Sequence, residues 1–197
     1  IKSGRFDNEI IPIEFNGQTF TEDEGPRTPD IDKMKSLSPA FDSEGSITAA
    51  TSSPISLGAS AILIGNQDIT DSSNSAFEII SRSIVGVDWK TMGKGPLPAT
   101  EKALKNANLS LNDIDIIELN EAFAAQSLYV IRKGGWDIDK INLNGGAIAL
   151  GHPLGCSGAR IITTLTNVMV QKDVELGLAT MCIGTGQGIA TIIKRVK

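Results

Sequence analysis

The sequence of 197 residues has few of the side chains that build metal sites and disulfides: one histidine, His152, and two cysteines, Cys156 and Cys182. These three residues fall short of a convincing zinc site, and we expect no metal. A structural disulfide is a poor interpretation because no secretory signal is visible. A reducing compartment fits better, and we expect a cytoplasmic protein.

The sequence also lacks a long apolar run and an excess of basic residues. No apolar stretch approaches the roughly 20 residues that span a bilayer, so membrane insertion is not expected. The 23 acidic and 18 basic residues give a net charge of −5, which argues against nucleic acid as the main partner. Hydrophobic residues make up 41% of the chain, enough to form a core.

The first third of the chain has an irregular pattern. Residues 1–52 are polar and interrupted by turn signals, and Pro26 and Pro29 prevent a continuous helix there. Residues 53–66 are richer in small and apolar side chains and predict a turn, a short helix and a buried strand. The polar stretch 65–75 is typical of a linker or a domain boundary.

From about residue 75 the pattern becomes regular. It predicts strands over AFEIISRSIVGVD, DIDIIELN, INLNGGAI, VELGLATMCIG and IATIIKRV, and helices over PATEKALKNAN, EAFAAQSLYVIRK and SGARIITTLTNVMVQ. In the second helix, Ala124, Leu128 and Ile131 have the spacing of one apolar stripe. Alternating strands and helices predict a layered α/β domain.

The only histidine lies in a glycine-rich turn directly before the last predicted helix. Glycines allow the backbone to approach a ligand closely, and five of them flank His152 between residues 145 and 158. Unpaired N–H groups at a helix N-terminus create a positive potential that keeps a nearby imidazole neutral. A neutral imidazole can accept a proton from a thiol or donate a hydrogen bond to a carbonyl. The alternative is a histidine that only packs.

Three segments resemble, in order and spacing, the motifs of the thiolase family: ELNEAFAAQ (118–126), GHPLGCSGARI (151–161) and MCIGTGQGIA (181–190). The tail from Lys140 to Val196 is most similar to degradative 3-ketoacyl-CoA thiolases, the β-subunit type of fatty-acid oxidation complexes. The resemblance implies an α/β, thiolase-like layered fold. The chain would be its C-terminal βαβαβαββ half together with the end of the loop domain.

The same resemblance implies a division of the chain into three parts. Residues 1–52 would be the irregular end of the loop domain, and residues 53–74 a closing piece of the N-terminal half followed by a linker. Residues 75–197 would be the thiolase C-terminal domain.

The resemblance also implies roles for the polar residues of the first two motifs. His152 would activate a nucleophilic cysteine and, with a water held by Asn120, form an oxyanion hole for the thioester oxygen. Judged from its position alone, Asn120 is a helix N-cap, typically worth ~1 kcal/mol. Glu121 is either an acid that suits the first turn of a helix or a hydrogen-bond partner behind the site.

In the third motif, Cys182 would be the acid/base that protonates the leaving carbanion, and the N–H of Gly184 would contribute to a second oxyanion hole. The alternative for Cys182 is a small buried apolar residue. Cys156 occupies a position that the family fills with various small residues, so a packing role is favoured there. Ser53 matches a serine that hydrogen-bonds the pantetheine part of CoA in relatives.

The chain departs from the family pattern in two respects. Leu57 stands where relatives usually have an acidic residue that would cap the following helix. More importantly, neither Cys156 nor Cys182 lies in the context of the nucleophilic cysteine, which belongs to the N-terminal half. We therefore predict that the isolated chain does not turn over.

The implied activity is thiolytic cleavage of 3-ketoacyl-CoA by CoA in fatty-acid β-oxidation, with CoA and acyl-CoA as substrates and no cofactor. The implied assembly is a homodimer or larger, including a β-oxidation multienzyme complex. Two alternatives remain: a biosynthetic thiolase that condenses two acetyl-CoA molecules with the same residues, and a non-catalytic CoA-binding thiolase half. A β-ketoacyl synthase is disfavoured because its sites use two histidines.

Overall fold

A four-stranded sheet forms the centre of the molecule in the computed structural model, which describes residues 1–68 and 75–196. A small hairpin and a short helix precede it: β1 (Ile13–Phe15), β2 (Gln18–Phe20) and α1 (Ile31–Lys35). The sheet strands are β3 (Phe77–Gly86), β4 (Ile116–Leu119), β5 (Leu176–Ile183) and β6 (Gln187–Arg195). Their spatial order is β3–β6–β5–β4, and only the β4–β5 pair is parallel.

Helices cover both faces of this sheet. They are α2 (Pro96–Ala107), α3 (Ala124–Gly134), the one-turn α4 (Ala147–Leu150) and α5 (Ser157–Lys172), with 3₁₀ turns at Trp89–Lys94, Leu111–Asp113 and Ile138–Lys140. α2 begins with a proline. This residue suits a first helical position, because the N–H that proline lacks would have no partner there. The three longer helices end at residues with left-handed φ, namely Asn108 (54°), Gly135 (64°) and Asp173 (53°).

Strand β4 separates two apolar layers by its alternation. Ile117 and Leu119 belong to the core that α2 and α3 form on one face of the sheet. Ile116 packs in the second core, which α5 forms on the opposite face. Because successive strand residues point to opposite faces, Glu118 shares the α5 side with Ile116. All four residues of β4 are buried, as its almost fully apolar sequence predicts.

One predicted strand of the sheet is reduced to a single bridge. INLNGGAI was expected to be the third strand of the βαβαβαββ pattern, but only Ile141 pairs, in an isolated parallel bridge with Ile117. The next residue, Asn142, has a left-handed φ of 49° and turns the backbone out of the sheet. A turn and the short helix α4 follow instead of a strand.

The predicted helix and buried strand within residues 53–66 are wrong. The segment contains neither element; Ile55 and Leu57 are fully exposed, and Leu63 is 87% exposed. An apolar strand requires a sheet edge to pair with, and no strand in the described ranges pairs with this segment. The predicted linker continues to residue 75, and its residues 69–74 lie outside the described residues.

The predicted apolar stripe of α3 is also wrong in part. Leu128 is 38% exposed, whereas Gln126, Ser127 and Val130 are the buried residues of this helix. The chain just before the helix is tied to residues 51–53 through the Ser52–Phe123 bridge. That attachment lies outside the helix and helps to set its rotation, which the helical period alone leaves open.

In the described part of the chain, no helix combines the length and apolarity that a membrane span requires.

The backbones of α2 and β6 approach each other closely at two glycines. A Cβ on Gly188 would overlap the carbonyl of Gly95, and a Cβ on Gly95 would overlap the carbonyl of Gln187. Gly188 is paired in register with Cys182 of β5. The close approach therefore lies directly beside one of the candidate site residues.

We expect Gly188→Ala to lower the free energy of unfolding by about 1–3 kcal/mol, the usual cost of forcing an extra methyl into a packed core. Gly86→Ala, in the paired strand β3, is the matched control because its Cβ would meet open space. Urea unfolding of the two variants and the parent chain measures the difference. Equal stability of both variants would contradict the assigned contact.

Candidate active site

Asn120 and His152, 32 positions apart in the sequence, are in contact at the end of β4. Asn120 directly follows β4, is fully buried, and its backbone N–H donates to the carbonyl of Thr180 on β5 at 3.0 Å. Its amide Nδ2 lies 3.3 Å from Nε2 of His152. The extended backbone of a strand end and the turn before α5 thus hold the two side chains together.

A serine at the start of α5 determines which imidazole nitrogen carries the proton. Nδ1 of His152 lies 2.6 Å from the hydroxyl of Ser157, and that hydroxyl donates to the carbonyl of Pro153 at 3.0 Å. A serine hydroxyl has one hydrogen, so Nδ1–H of His152 donates to it. Nε2 then carries the lone pair and accepts from Asn120. Sequence analysis missed Ser157, whose only signal is its place five residues after His152 in the first helical turn.

The surroundings of His152 favour its neutral form. Burial is the main cause, and the positive charge of Arg160 the second, of a His152 pKa below the ordinary value of 6.5. The N-terminus of α5, directly after the turn, acts in the same direction. At neutral pH, Nε2 is therefore an unprotonated base.

The histidine turn is attached to β4 by an asparagine that sequence analysis also missed. The side chain of Asn142 donates to the carbonyl of Leu119 and accepts from its N–H, both at 2.8 Å. The left-handed φ of Asn142 lets its side chain take the place of a neighbouring strand. Asparagine tolerates this conformation, and the glycines at 145 and 146 that follow are the available sequence signal.

Glu121 is the second attachment of this turn. Its carboxylate accepts from Nδ2 of Asn142 and from the N–H of Ile148, each at 3.2 Å. Ile148 lies in the first turn of α4, where free N–H groups favour a carboxylate. A Cβ on Gly146 would overlap this carboxylate, so the glycine makes room for it. Of the two interpretations of Glu121, the hydrogen-bond partner is the one that the contacts support.

Cys182 lies at the same edge of the sheet. Strands β4 and β5 are parallel, so their carboxyl ends meet there. Cys182 is 4% exposed, and burial raises the pKa of its thiol, which is protonated at neutral pH. Gly184 opens the turn between β5 and β6, in which Thr185 and Gly186 have φ values of 69° and 93°.

Ser53 and Cys156 also lie around this edge. Ser53 directs both its N–H and its hydroxyl to the carbonyl of Ala122, at 3.1 and 3.2 Å, just after Asn120. Cys156 is buried immediately before α5, and burial raises its pKa as well.

Over residues 1–68 and 75–196, no three His, Cys, Asp or Glu side chains are grouped to hold a metal ion.

Family models give the affiliation of the chain. Residues 74–195 match the thiolase C-terminal domain, and residues 1–68 match the thiolase N-terminal domain. The chain belongs to the thiolase family. The resemblance to this family, first recognised in three short motifs, is thereby confirmed, and the match extends over almost the whole chain.

Relatives named 3-ketoacyl-CoA thiolase include proteins of Acinetobacter baumannii and Vibrio vulnificus, each 53% identical over 99% and 98% of this chain. The chain spans about half of their length, 53% in both cases. Human mitochondrial 3-ketoacyl-CoA thiolase in complex with CoA superposes with a TM-score of 0.88 at 38% identity, over 98% of this thiolase chain and 50% of the human chain. The thiolase fold is therefore confirmed.

We expect NMR titration of His152 to give a midpoint below 6.5, since burial and Arg160 both disfavour its charged form. The signal needs no assignment because the chain has one histidine. In ¹⁵N spectra the proton resides on Nδ1 in the parent chain and loses this preference in Ser157→Ala. Ser36→Ala is the matched control, because this exposed hydroxyl also donates to a backbone carbonyl. A midpoint at or above 6.5 would refute the assignment.

Proposed function

We propose that this chain carries the acid–base residues of a thiolase active site, which cleaves 3-ketoacyl-CoA with CoA to acetyl-CoA and a shortened acyl-CoA. The observation that carries the proposal is the contact of neutral His152 with Asn120, at a sheet edge shared with the protonated thiol of Cys182. Relatives named 3-ketoacyl-CoA thiolase, 53% identical across nearly the whole chain, support it.

In this proposal, Nε2 of His152 removes the proton from the attacking thiol in each half-reaction. The thiols in question are the nucleophilic cysteine, which takes the acyl group, and then CoA, which receives it. A base with a pKa below the ordinary histidine value is unprotonated and available at neutral pH. By the family resemblance, the nucleophilic cysteine belongs to the N-terminal half of the fold, because neither Cys156 nor Cys182 lies in its motif context.

Asn120 holds the water of the first oxyanion hole. Its amide nitrogen is turned to His152, and its Oδ1 is buried with no hydrogen-bond partner among the described residues. A buried amide oxygen without a donor costs about 1–3 kcal/mol. A water that donates to this oxygen relieves that cost and keeps its second hydrogen for the thioester oxygen.

Cys182 moves the proton at the α-carbon. Its raised pKa makes it a thiol at neutral pH, and a thiol can protonate the carbanion that leaves as acetyl-CoA. The proton that His152 took from the nucleophile then passes to the Cys182 thiolate, so both groups start the second half-reaction neutral. The N–H of Gly184, two residues on, contributes to the second oxyanion hole. Ser53 contacts the pantetheine of CoA from the segment that runs beside Ala122.

The wider setting follows from the same family. We propose a cytoplasmic homodimer or larger assembly, including one as the β subunit of a multienzyme complex, that is active in fatty-acid β-oxidation. CoA and acyl-CoA are its substrates, and no cofactor or metal takes part.

A biosynthetic thiolase is the second candidate, and a structural comparison supports it about as well. A structure described as Bacillus anthracis acetyl-CoA acetyltransferase superposes with a TM-score of 0.89 at 36% identity, nearly the values of the human enzyme. The residues assigned above would serve condensation of two acetyl-CoA molecules equally well. The preferred acyl-chain length separates the two candidates.

The test compares thiolysis of acetoacetyl-CoA with that of a longer 3-ketoacyl-CoA, using the product of the native gene and its intact mass. We expect His152→Ala to lower kcat by about 10²–10⁴-fold, the usual contribution of a general base. Preference for the longer substrate supports degradation, and activity confined to acetoacetyl-CoA supports biosynthesis. An unaffected His152→Ala enzyme would refute the assignment.

The two cysteines form an internal comparison. We expect Cys182→Ala to abolish most thiolysis, since the α-carbon loses its proton donor, while Cys156→Ala retains the parent rate. Both variants remove one buried sulfur, so a common loss of packing affects them alike. Similar losses in both variants would count against an acid role for Cys182.

The 197-residue chain alone is expected to show no thiolysis, because it supplies a base and an acid but no nucleophile. The same spectrophotometric assay at high protein concentration measures this. Turnover above that of the heat-denatured chain would show that one of its own cysteines carries the acyl group.

A further inference from the structure

A carboxyl group is buried in the layer between β4 and α5, where an apolar side chain would be expected. Glu118 is 1% exposed, and it shares its face of β4 with Ile116, which packs against Ile161 and Leu165 of α5. Its Oε1 has no hydrogen-bond partner among the described residues. Burying a carboxyl with an unpartnered oxygen is costly, so packing alone does not explain glutamate at this position.

The partner of this carboxyl is the guanidinium of Arg160 on α5. Oε2 of Glu118 lies 3.9 Å from Nη1 of Arg160, and the arginine side chain is only 18% exposed. Nη1 forms no hydrogen bond within the described chain, so the 3.9 Å contact is not a hydrogen bond, and it becomes an ion pair when the carboxyl ionises. The contact links the last strand residues of β4 to the first turn of α5.

The same two elements hold His152 from opposite sides. Glu118 and Asn120 are two residues apart along the end of β4, and Asn120 contacts Nε2 of His152. Ser157 and Arg160 are three residues apart on α5, hence on one face of the helix, and Ser157 contacts Nδ1. The contact between Glu118 and Arg160 therefore closes a ring that passes from strand to helix and back through the imidazole.

We propose that Glu118 and Arg160 form a positioning pair for His152, which fixes β4 against α5 and places a positive charge behind the imidazole. The catalytic meaning of this pair rests on the function proposed above. Its effect on the imidazole does not, and the tests below read the imidazole itself rather than thiolysis.

The net charge of the Glu118–Arg160 pair depends on pH. Burial raises the pKa of Glu118 to about 8 against the opposing effect of Arg160, and the negative charges of Glu9 and Glu121 raise it further. At neutral pH the carboxyl is mostly protonated, so the pair carries the positive charge of Arg160. Above pH 8 the carboxylate neutralises it. Of the charged groups around His152, Arg160 is the one that depresses its pKa.

The first test follows the imidazole of the parent chain from pH 5 to pH 10 by ¹⁵N and ¹H NMR. Besides the titration of His152 itself, we expect a second, smaller inflection near pH 8, when Glu118 ionises behind it. This inflection disappears in Glu118→Gln, which keeps the shape and neutrality of the protonated acid. It persists in Glu175→Gln, the matched control, which breaks an exposed ion pair with Lys194 at 2.8 Å.

The second test changes the arginine. Arg160→Gln removes the charge and keeps a polar side chain, so we expect the pKa of His152 to rise by more than in Lys194→Gln, which removes a positive charge from an exposed ion pair. Arg160→Lys restores a positive charge and returns the pKa towards that of the parent chain. The proton on Nδ1 also becomes less firmly placed in Arg160→Gln, because α5 is no longer held to Glu118.

Two results would overturn the proposal. One is a missing inflection near pH 8 in the parent chain, or an inflection that persists in Glu118→Gln. Neither measurement needs a variant that disrupts the fold. The other is an Arg160→Gln chain whose unfolding midpoint falls while the His152 titration and tautomer stay as in the parent chain, since the pair would then be merely structural. An inactive native gene product would refute the proposed function and leave these outcomes unaffected.

Discussion

The side chain of Asn142 fastens the histidine turn to the sheet, and the arrangement of the site depends on this attachment. Its two 2.8 Å hydrogen bonds to Leu119 replace those of a neighbouring strand at the point where the backbone turns away. The ten residues that follow are free to form a turn and still return to the end of β4. Glu121 secures the same turn through Ile148, so that His152 meets Asn120.

The end of β4 and the residue after it bury two polar side chains. Glu118 and Asn120 are 1% and 0% exposed, and each retains a buried oxygen without a partner among the described residues. Apolar side chains would fill these positions at lower cost. Where natural sequences break the packing rule in this way, the polar groups usually serve a site rather than the fold. In this chain, both groups belong to elements that touch or flank the imidazole.

The local sequence pattern was sufficient to predict those elements whose buried face follows from the spacing of their own apolar residues. Helix α5 forms over the predicted segment with Ile161, Leu165, Val168 and Met169 buried, and the β5–β6 hairpin forms around its glycine turn. It was insufficient for residues 53–66, because a strand depends on an edge elsewhere in the fold. The site divides in the same way. His152 and Asn120 stand out in their motifs, whereas Ser157 gains its role from its distance to the imidazole and Arg160 from its distance to Glu118 across the β4–α5 layer.

The protonation states of the candidate acid and base have one common cause, which is burial. It lowers the pKa of His152 and raises that of Cys182, and both groups are consequently neutral at pH 7. Neither state requires a bound ligand, so a substrate would meet a base and an acid that are already in their working forms. The nearby charge of Arg160 reinforces the neutral imidazole instead of competing with it. The fold itself thus sets the protonation states that the proposed proton transfers need.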